Sequence, residues 1–192
     1  MLTLTIDGKE IGAHEDMTVL EAARSVGIEI PTLCHHEAIT PYGACRLCTV
    51  EVTNRGRTKL AVSCLLPVAQ GIEVETNSEM VQKLRRGILE LLMARCPGSE
   101  RLQYLANQMG IDRSEFDFDL DDKKCILCGL CVRACQQISE KAVLSFVGRG
   151  TERRVATPFY RPSDDCITCR ACAFICPTRA IRFEEGKLVL PE

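Results

Sequence analysis

Residues 125–135 read CILCGLCVRAC, and residues 166–176 read CITCRACAFIC. These two stretches decide the fold of the second half of the chain, because both have the spacing C-x2-C-x2-C-x3-C and similar apolar residues between the cysteines. A cysteine loop duplicated within so short a stretch indicates an internal repeat, with approximate two-fold symmetry inside one small domain.

The repeated spacing is that of bacterial two-cluster ferredoxins. Three thiolates with two residues between each neighbouring pair can reach three corners of one [4Fe–4S] cube. The fourth cysteine starts a helix directed away and ligates the other cube. The repeat therefore predicts two [4Fe–4S] clusters with crossed ligand sets. The first set is Cys125, Cys128, Cys131 and Cys176, and the second set is Cys135, Cys166, Cys169 and Cys172.

A third set of cysteines lies nearer the N-terminus, with the spacing C-x10-C-x2-C-x15-C. It consists of Cys34, Cys45, Cys48 and Cys64. Plant-type ferredoxins hold a [2Fe–2S] cluster with a C-x4-C-x2-C loop and a distant fourth cysteine, so a longer first gap is the difference here. The pair Gly43-Ala44 lets the backbone approach a metal closely. We expect one [2Fe–2S] cluster, and Arg46 either donates hydrogen bonds near it or is solvated.

Zinc is the alternative metal for all three sets, since zinc sites also use C-x2-C pairs. Two blocks of four cysteines with identical spacing favour clusters over a pair of zinc sites. A structural or regulatory zinc protein would be colourless, whereas a cluster protein is brown and oxygen-sensitive.

The composition and the missing sequence signals narrow the possible functions of the chain. The chain has 192 residues, thirteen cysteines, no Trp and a net charge of −2, so a nucleic-acid partner is not expected. The N-terminus lacks the basic and apolar regions of an export signal, and no apolar run could span a bilayer. A reducing, cytoplasmic location is expected, in which clustered cysteines are metal ligands rather than disulfides. Gly-rich nucleotide loops and nucleophile motifs are missing, so we expect electron transfer without bond chemistry.

Periodicity predicts an α+β protein in three parts. Residues 1–77 form a β-grasp [2Fe–2S] domain with a hairpin over 2–13, a capped helix from Thr18, and strands at 48–53, 59–63 and 72–76. Residues 78–120 form a helical connector, and residues 121–192 form the two-cluster domain. The first connector helix runs to about Arg95, and its predicted apolar side comprises Val81, Leu84, Ile88, Leu91 and Leu92. A second helix runs from Ser99 to Met109, and the acidic segment 115–122 is a linker whose Phe116, Phe118 and Leu120 dock onto a neighbouring domain.

Four stretches of the sequence and one turn resemble a known family. They are IPTLCHHEAITPYGACRLCTVEV (30–52), SCLLPVAQGIEVET (63–76), CILCGLCVRACQQI (125–138), CPTRAI (176–181) and the Gly148-Arg149-Gly150 turn. The chain resembles the N-terminal region of the large iron–sulfur subunit of respiratory complex I. It is equally similar to the diaphorase iron–sulfur subunits of NAD-linked hydrogenases and formate dehydrogenases. The resemblance implies an electron relay between a flavin-bearing, NAD(P)H-binding subunit and a second redox subunit; a free-standing, diffusible polyferredoxin is the alternative.

One feature of that family is missing. Its members carry a motif of one histidine and three cysteines after the long helix, which binds a further [4Fe–4S] cluster. The corresponding region here, LLMARCPGSERLQYLANQMG (91–110), has only Cys96 and no histidine. One cysteine cannot hold a cube, so we predict that Cys96 is a buried thiol and not a ligand.

Overall fold

The structure is a computed structural model that describes residues 1–116 and 124–191. The chain divides into two compact units. The first comprises Met1–Leu33 and Pro41–Leu89, and the second comprises Cys34–Thr40 and Glu90–Glu192. The short segment Cys34–Thr40 therefore belongs to the second unit, although its neighbours on both sides in the sequence belong to the first.

The first unit contains a mixed five-stranded sheet, one complete helix and the N-terminal part of the next helix. Its elements are β1 (Leu2–Ile6), β2 (Lys9–Ala13), α1 (Val19–Ser25), β3 (Thr49–Asn54), β4 (Arg57–Val62) and β5 (Glu73–Glu75). The strand order is β2-β1-β5-β3-β4; β1 and β5 are parallel, and the other pairs are antiparallel. This arrangement agrees with the predicted β-grasp fold, and the predicted hairpin, helix and three later strands are all found within two residues of their expected positions.

Local sequence signals explain these elements. Asp7 and Gly8 both have positive φ in the β1–β2 turn, which is the backbone shape that closes a tight hairpin. Thr18 and Glu21 form a complete capping box at the start of α1, with the Thr18 N–H donating to the Glu21 carboxylate over 2.7 Å. The core between sheet and helix is apolar, and it includes the buried thiols of Cys48 and Cys64. The sheet and α1 thus provide the frame for two of the predicted ligands.

Two connector helices follow, α2 (Glu79–Arg95) and α3 (Glu100–Gln108). The Ser78 and Ser99 hydroxyls accept backbone hydrogen bonds at the N-termini of α2 and α3, as is typical of capping residues. The predicted apolar side of α2 is partly wrong, because Leu91 is 44% exposed. The buried positions of α2 are instead Val81, Arg85 and Leu89, so a charged residue occupies the centre of the buried stripe.

The second unit also holds two further helices and two hairpins: α4 (Leu130–Gln137), β6 (Ser145–Val147), β7 (Arg154–Ala156), α5 (Ala171–Phe174), β8 (Arg182–Glu184) and β9 (Lys187–Val189). Strands β6 and β7 pair, as do β8 and β9. The predicted repeat is visible in the backbone. Leu127 and Thr168 occupy equivalent positions with φ of 53° and 52°, and Gly129 and Arg170 precede the two helices with φ of 74° and 64°.

The acidic linker predicted at 115–122 lies mostly outside the described residues, including Phe118 and Leu120. Phe116 is described and is 44% exposed. In the part of the chain that the structure describes, no helix has the length and apolar character needed to cross a membrane.

The turn after β6 contains a matched pair of glycines. Gly148 has a φ of +73°, and a Cβ placed there would lie 2.4 Å from the Glu152 carbonyl oxygen. Gly150 has a φ of +52°, but its Cβ would meet no atom within 4 Å. Alanine at either position adopts a strained backbone, and only at position 148 does it also collide with main chain.

We therefore expect Gly148→Ala to destabilise the protein more than Gly150→Ala does. The difference in free energy of unfolding should be about 2 kcal/mol, the usual cost of forced overpacking. Thermal unfolding followed by circular dichroism of the two variants measures it. Equal midpoints for the two variants would show that the turn relaxes without cost.

Candidate functional site

Four of the predicted ligands line one cavity of the second unit. Its wall includes Cys125, Cys128, Cys131 and Cys176, together with apolar side chains such as Ile126 and Val155. Three of these cysteines come from the first motif, and the fourth is the last cysteine of the second motif. The structure brings together the residues that the crossed assignment predicts for the first [4Fe–4S] cluster.

The other four cysteines line a second cavity. This wall includes Cys135, Cys166, Cys169 and Cys172, with Leu144 and Phe183 among its apolar members. Again three cysteines come from one motif and one from the other. Cys169 is exposed whereas Cys172 is buried, so this cavity has a side that opens toward solvent.

Backbone amides point at the sulfurs of both cavities. The amide of Leu127 donates to the sulfur of Cys125 over 3.4 Å. The fourth cysteine of each motif accepts an equivalent hydrogen bond. The Val143 amide donates to the sulfur of Cys135 over 3.3 Å, and the Ala180 amide donates to the sulfur of Cys176 over 3.2 Å. Such hydrogen bonds favour the thiolate over the thiol, and they are among the features that set cluster potentials.

Burial opposes charge on these sulfurs when no metal compensates it. It raises the pKa of Cys131 above its ordinary range, and neighbouring Cys128 and Cys125 raise it further. Burial also raises the pKa of Cys125, and it raises the pKa of Cys172 to about 11. A bound cation is needed to hold such thiols as thiolates at neutral pH.

The donor set and its spacing fit a cube better than a single ion. Among the described residues, no three histidine, cysteine or acidic side chains converge closely enough to hold one metal ion. Each set of four cysteines instead surrounds a volume. All-thiolate ligation by four cysteines is the donor set of a [4Fe–4S] cube, whose four irons each take one thiolate.

The first unit gathers three of the four cysteines expected for the [2Fe–2S] cluster. A hydrogen bond with Cys64 lowers the pKa of Cys48 to about 7, although burial opposes this, and the charge of Cys45 acts on Cys48 as well. Gly43, just before this group, is buried with a φ of +69°, and a Cβ there would lie 2.5 Å from Leu65. The chain thus needs glycine at this approach to the loop. The fourth predicted ligand, Cys34, is buried within the second unit.

Sequence reasoning weighed Arg46 as the charged neighbour of these cysteines but missed Arg85. Arg46 is exposed, and its carbonyl accepts hydrogen bonds that shape the turn before Thr49. Arg85 is only 6% exposed and donates to the Leu47 carbonyl over 2.9 Å and the Thr49 carbonyl over 2.8 Å. Its guanidinium therefore holds the residues on both sides of Cys48. Burial lowers the pKa of Arg85, while the charges of Cys48 and Asp7 raise it.

Cys96 is 1% exposed at the break between α2 and α3. Burial raises its pKa to about 12, and the charges of Cys125, Cys176 and Cys128 act on it. It lies near the first cavity, yet the described lining of that cavity does not include it. The predicted burial of the Cys96 thiol is confirmed; that it binds no iron stays a prediction.

Comparison with protein families gives the class of protein that these sites define. A family model described as a 2Fe-2S iron-sulfur cluster binding domain matches residues 1–79, and one described as a 4Fe-4S dicluster domain matches residues 119–183. The chain is thus an iron–sulfur protein with one [2Fe–2S] domain and one domain for two [4Fe–4S] clusters, as predicted. The zinc alternative is set aside by these matches.

Individual relatives narrow the class. The chain is 38% identical to NADP-reducing hydrogenase subunit HndD of Solidesulfovibrio fructosivorans, over 94% of this chain and 36% of the relative. It is 33% identical to the NADH-ubiquinone oxidoreductase 75 kDa subunit of Reclinomonas americana, over 82% of this chain and 26% of the relative. The crystal structure of an NAD+-reducing [NiFe]-hydrogenase in the H2-reduced state superimposes with a TM-score of 0.72 at 37% identity, covering 81% of this chain and 74% of that chain.

The chain therefore belongs to the family of iron–sulfur subunits of NAD(P)-linked hydrogenases and complex I-type oxidoreductases. The resemblance inferred from the cysteine motifs is confirmed. The chain spans about a third or less of the curated relatives described above, which are 36% and 26% covered.

The position of Cys96 leads to a direct test of the ligand set. Cys96→Ala should leave the iron content per chain unchanged, because the side chain fills space without binding iron. Cys128→Ala, a change of the same size, should lose about four iron atoms, since it removes one corner of a cube. Iron and labile-sulfide analysis of anaerobically purified protein distinguishes the two variants. Loss of four irons in Cys96→Ala would make Cys96 a ligand.

The buried guanidinium of Arg85 leads to a second prediction. Arg85→Met leaves the carbonyls of Leu47 and Thr49 without their donor in a buried place, which should cost about 3 kcal/mol. We expect a lower thermal midpoint and faster loss of the [2Fe–2S] signal in electron paramagnetic resonance (EPR). Lys83→Met, an exposed position on the same helix, is the control. Equal behaviour of the two variants would contradict a supporting role for Arg85.

Proposed function

We propose that this chain relays electrons between a flavin-containing, NAD(P)H-binding subunit and a second redox subunit of a multisubunit oxidoreductase. The second subunit belongs to an enzyme of the hydrogenase, formate dehydrogenase or transhydrogenase type. The similarity to subunits of NAD(P)-linked redox enzymes supports this proposal. The chain itself supplies the electron path and carries out no bond chemistry.

Three clusters form the proposed path. The [2Fe–2S] cluster is held by Cys34, Cys45, Cys48 and Cys64; one [4Fe–4S] cluster by Cys125, Cys128, Cys131 and Cys176; and the other by Cys135, Cys166, Cys169 and Cys172. The observation that carries this assignment is the grouping of the last eight cysteines into two cavities, each with three cysteines from one motif and one from the other. Crossed ligation ties both cubes into one small fold, which favours electron exchange between them.

The proposed partners and cellular location follow from the chemistry of iron–sulfur clusters. A flavin converts the two-electron chemistry of NAD(P)H into single electrons, which iron–sulfur clusters then accept one at a time. Each cluster needs reduced cysteines to assemble, so we propose a cytoplasmic location. We propose the same three domains as the sequence predicts, at 1–77, 78–120 and 121–192, with the clusters in the first and third domains.

The test is an anaerobic purification of the tagged chain from its own cells, followed by mass spectrometry of the proteins that accompany it. A flavin-bearing NAD(P)H-binding subunit and one further redox enzyme are expected. Adding NADH or NADPH to that complex should bleach the visible absorbance of the clusters, because electrons pass from the flavin into them.

Two controls make the result decisive. The tagged chain alone should stay oxidised when NADH or NADPH is added, since it has no flavin. The tag expressed without the chain should recover neither partner. Recovery of the brown chain alone would favour a free-standing polyferredoxin, and a complex whose clusters stay oxidised with both nucleotides would contradict the relay.

A further inference from the structure

The segment Cys34–Thr40 is attached to the second unit by one helix, α4. Arg133 and Gln137, one turn apart on this helix, make hydrogen bonds to the segment across more than ninety positions of sequence. Cys34 and Ile39 in the segment are buried, at 1% and 5% exposure. Helix α4 therefore holds a segment in which two side chains are shielded from solvent.

The guanidinium of Arg133 holds both ends of the segment. One of its terminal nitrogens donates to the Cys34 carbonyl over 2.9 Å, and the other donates to the Thr40 carbonyl. The Thr40 amide in turn donates to the Gln137 side chain over 2.8 Å. A planar fork with two parallel donors fits such a pair of carbonyls, and lysine cannot reproduce it.

The helix that carries this fork also carries ligands of both cubes. Cys131 lines the first cavity and Cys135 lines the second, and Arg133 lies between them in sequence. One short helix thus bears a thiol of each predicted [4Fe–4S] cluster and the side chain that fixes the backbone at Cys34. Within the segment, the Ala38 amide donates to the His36 ring and the Ile39 amide donates to the His36 carbonyl.

We propose that Arg133 is a positioning residue for the [2Fe–2S] cluster, acting through the backbone of its ligand Cys34. This rests on the ligand assignment under the proposed function. The fork fixes where Cys34 presents its sulfur, and its positive charge beside that ligand favours the reduced, more negative state of the cluster.

The experiment compares wild type with Arg133→Gln and Arg133→Lys, all purified anaerobically with their clusters. Arg149→Gln is the control, because it removes the same charge from an exposed position of the same unit. Three quantities are measured: the midpoint potential of each cluster by EPR-monitored redox titration, the rate of [2Fe–2S] loss in a chelator, and hydrogen–deuterium exchange of the peptide covering residues 34–40.

Arg133→Gln should lose its [2Fe–2S] cluster about tenfold faster than wild type, since one charged hydrogen bond is worth about that factor. Exchange in residues 34–40 should accelerate by a similar factor. The [2Fe–2S] potential should move to a more negative value, while both [4Fe–4S] signals persist. Arg133→Lys should keep the wild-type potential, because the charge remains, yet exchange faster, because the fork is lost. Arg149→Gln should match wild type in all three.

Unchanged exchange in residues 34–40 of Arg133→Gln would overturn the proposal whatever the clusters do. Unchanged [2Fe–2S] potential and stability in that variant would also overturn it, as would equal loss of all three clusters. The failure of the ligand assignment is a separate result: the wild-type protein would then lack a [2Fe–2S] signal, and the exchange measurement would still test the contact.

Discussion

Burial of cysteine thiols is the constraint on which the rest of the structure depends. Burial raises the pKa of Cys125, Cys131 and Cys172, so these sulfurs are costly to charge unless iron is bound. Iron–sulfur clusters need those sulfurs as thiolates, and backbone amides aimed at Cys125, Cys135 and Cys176 favour that form. Folding and cluster binding are therefore linked, because the cavities are favourable only when filled.

Arginine side chains secure the backbone around the predicted ligands in both units. Arg85 holds the residues on either side of Cys48, Arg133 holds Cys34, and Arg95 donates to the Cys125 carbonyl over 2.8 Å. In each case the guanidinium donates to a backbone carbonyl. Cys34, Cys48 and Cys125 lie outside helices and strands, so charged donors that bind the backbone beside them help to fix these residues while adding positive charge near an anionic cluster.

Much of the fold and of the candidate site is predictable from the sequence. The two features that were missed both involve hydrogen bonds between residues far apart in the chain. Local signals and spacing predict the hairpin over 2–13 and the capping box at Thr18. They also predict that each cavity is lined by three cysteines of one motif and one of the other. The buried stripe of α2 was misjudged because a charged residue was assumed to face solvent, whereas Arg85 is buried by its bonds to two carbonyls. The attachment of Cys34–Thr40 to Arg133 was missed as well, since nothing in either local pattern reports a contact between positions so far apart in sequence.

We propose that twelve of the thirteen cysteines hold three clusters, one of them [2Fe–2S] and two [4Fe–4S]. The decisive experiment is iron and labile-sulfide analysis of the anaerobically purified wild-type chain, with spin quantitation of the reduced protein. We expect about ten iron atoms and as many sulfides per chain, with one [2Fe–2S] signal and two [4Fe–4S] signals. About fourteen iron atoms would mean that a further cube is held near Cys96, and zinc without sulfide would contradict the cluster assignment altogether.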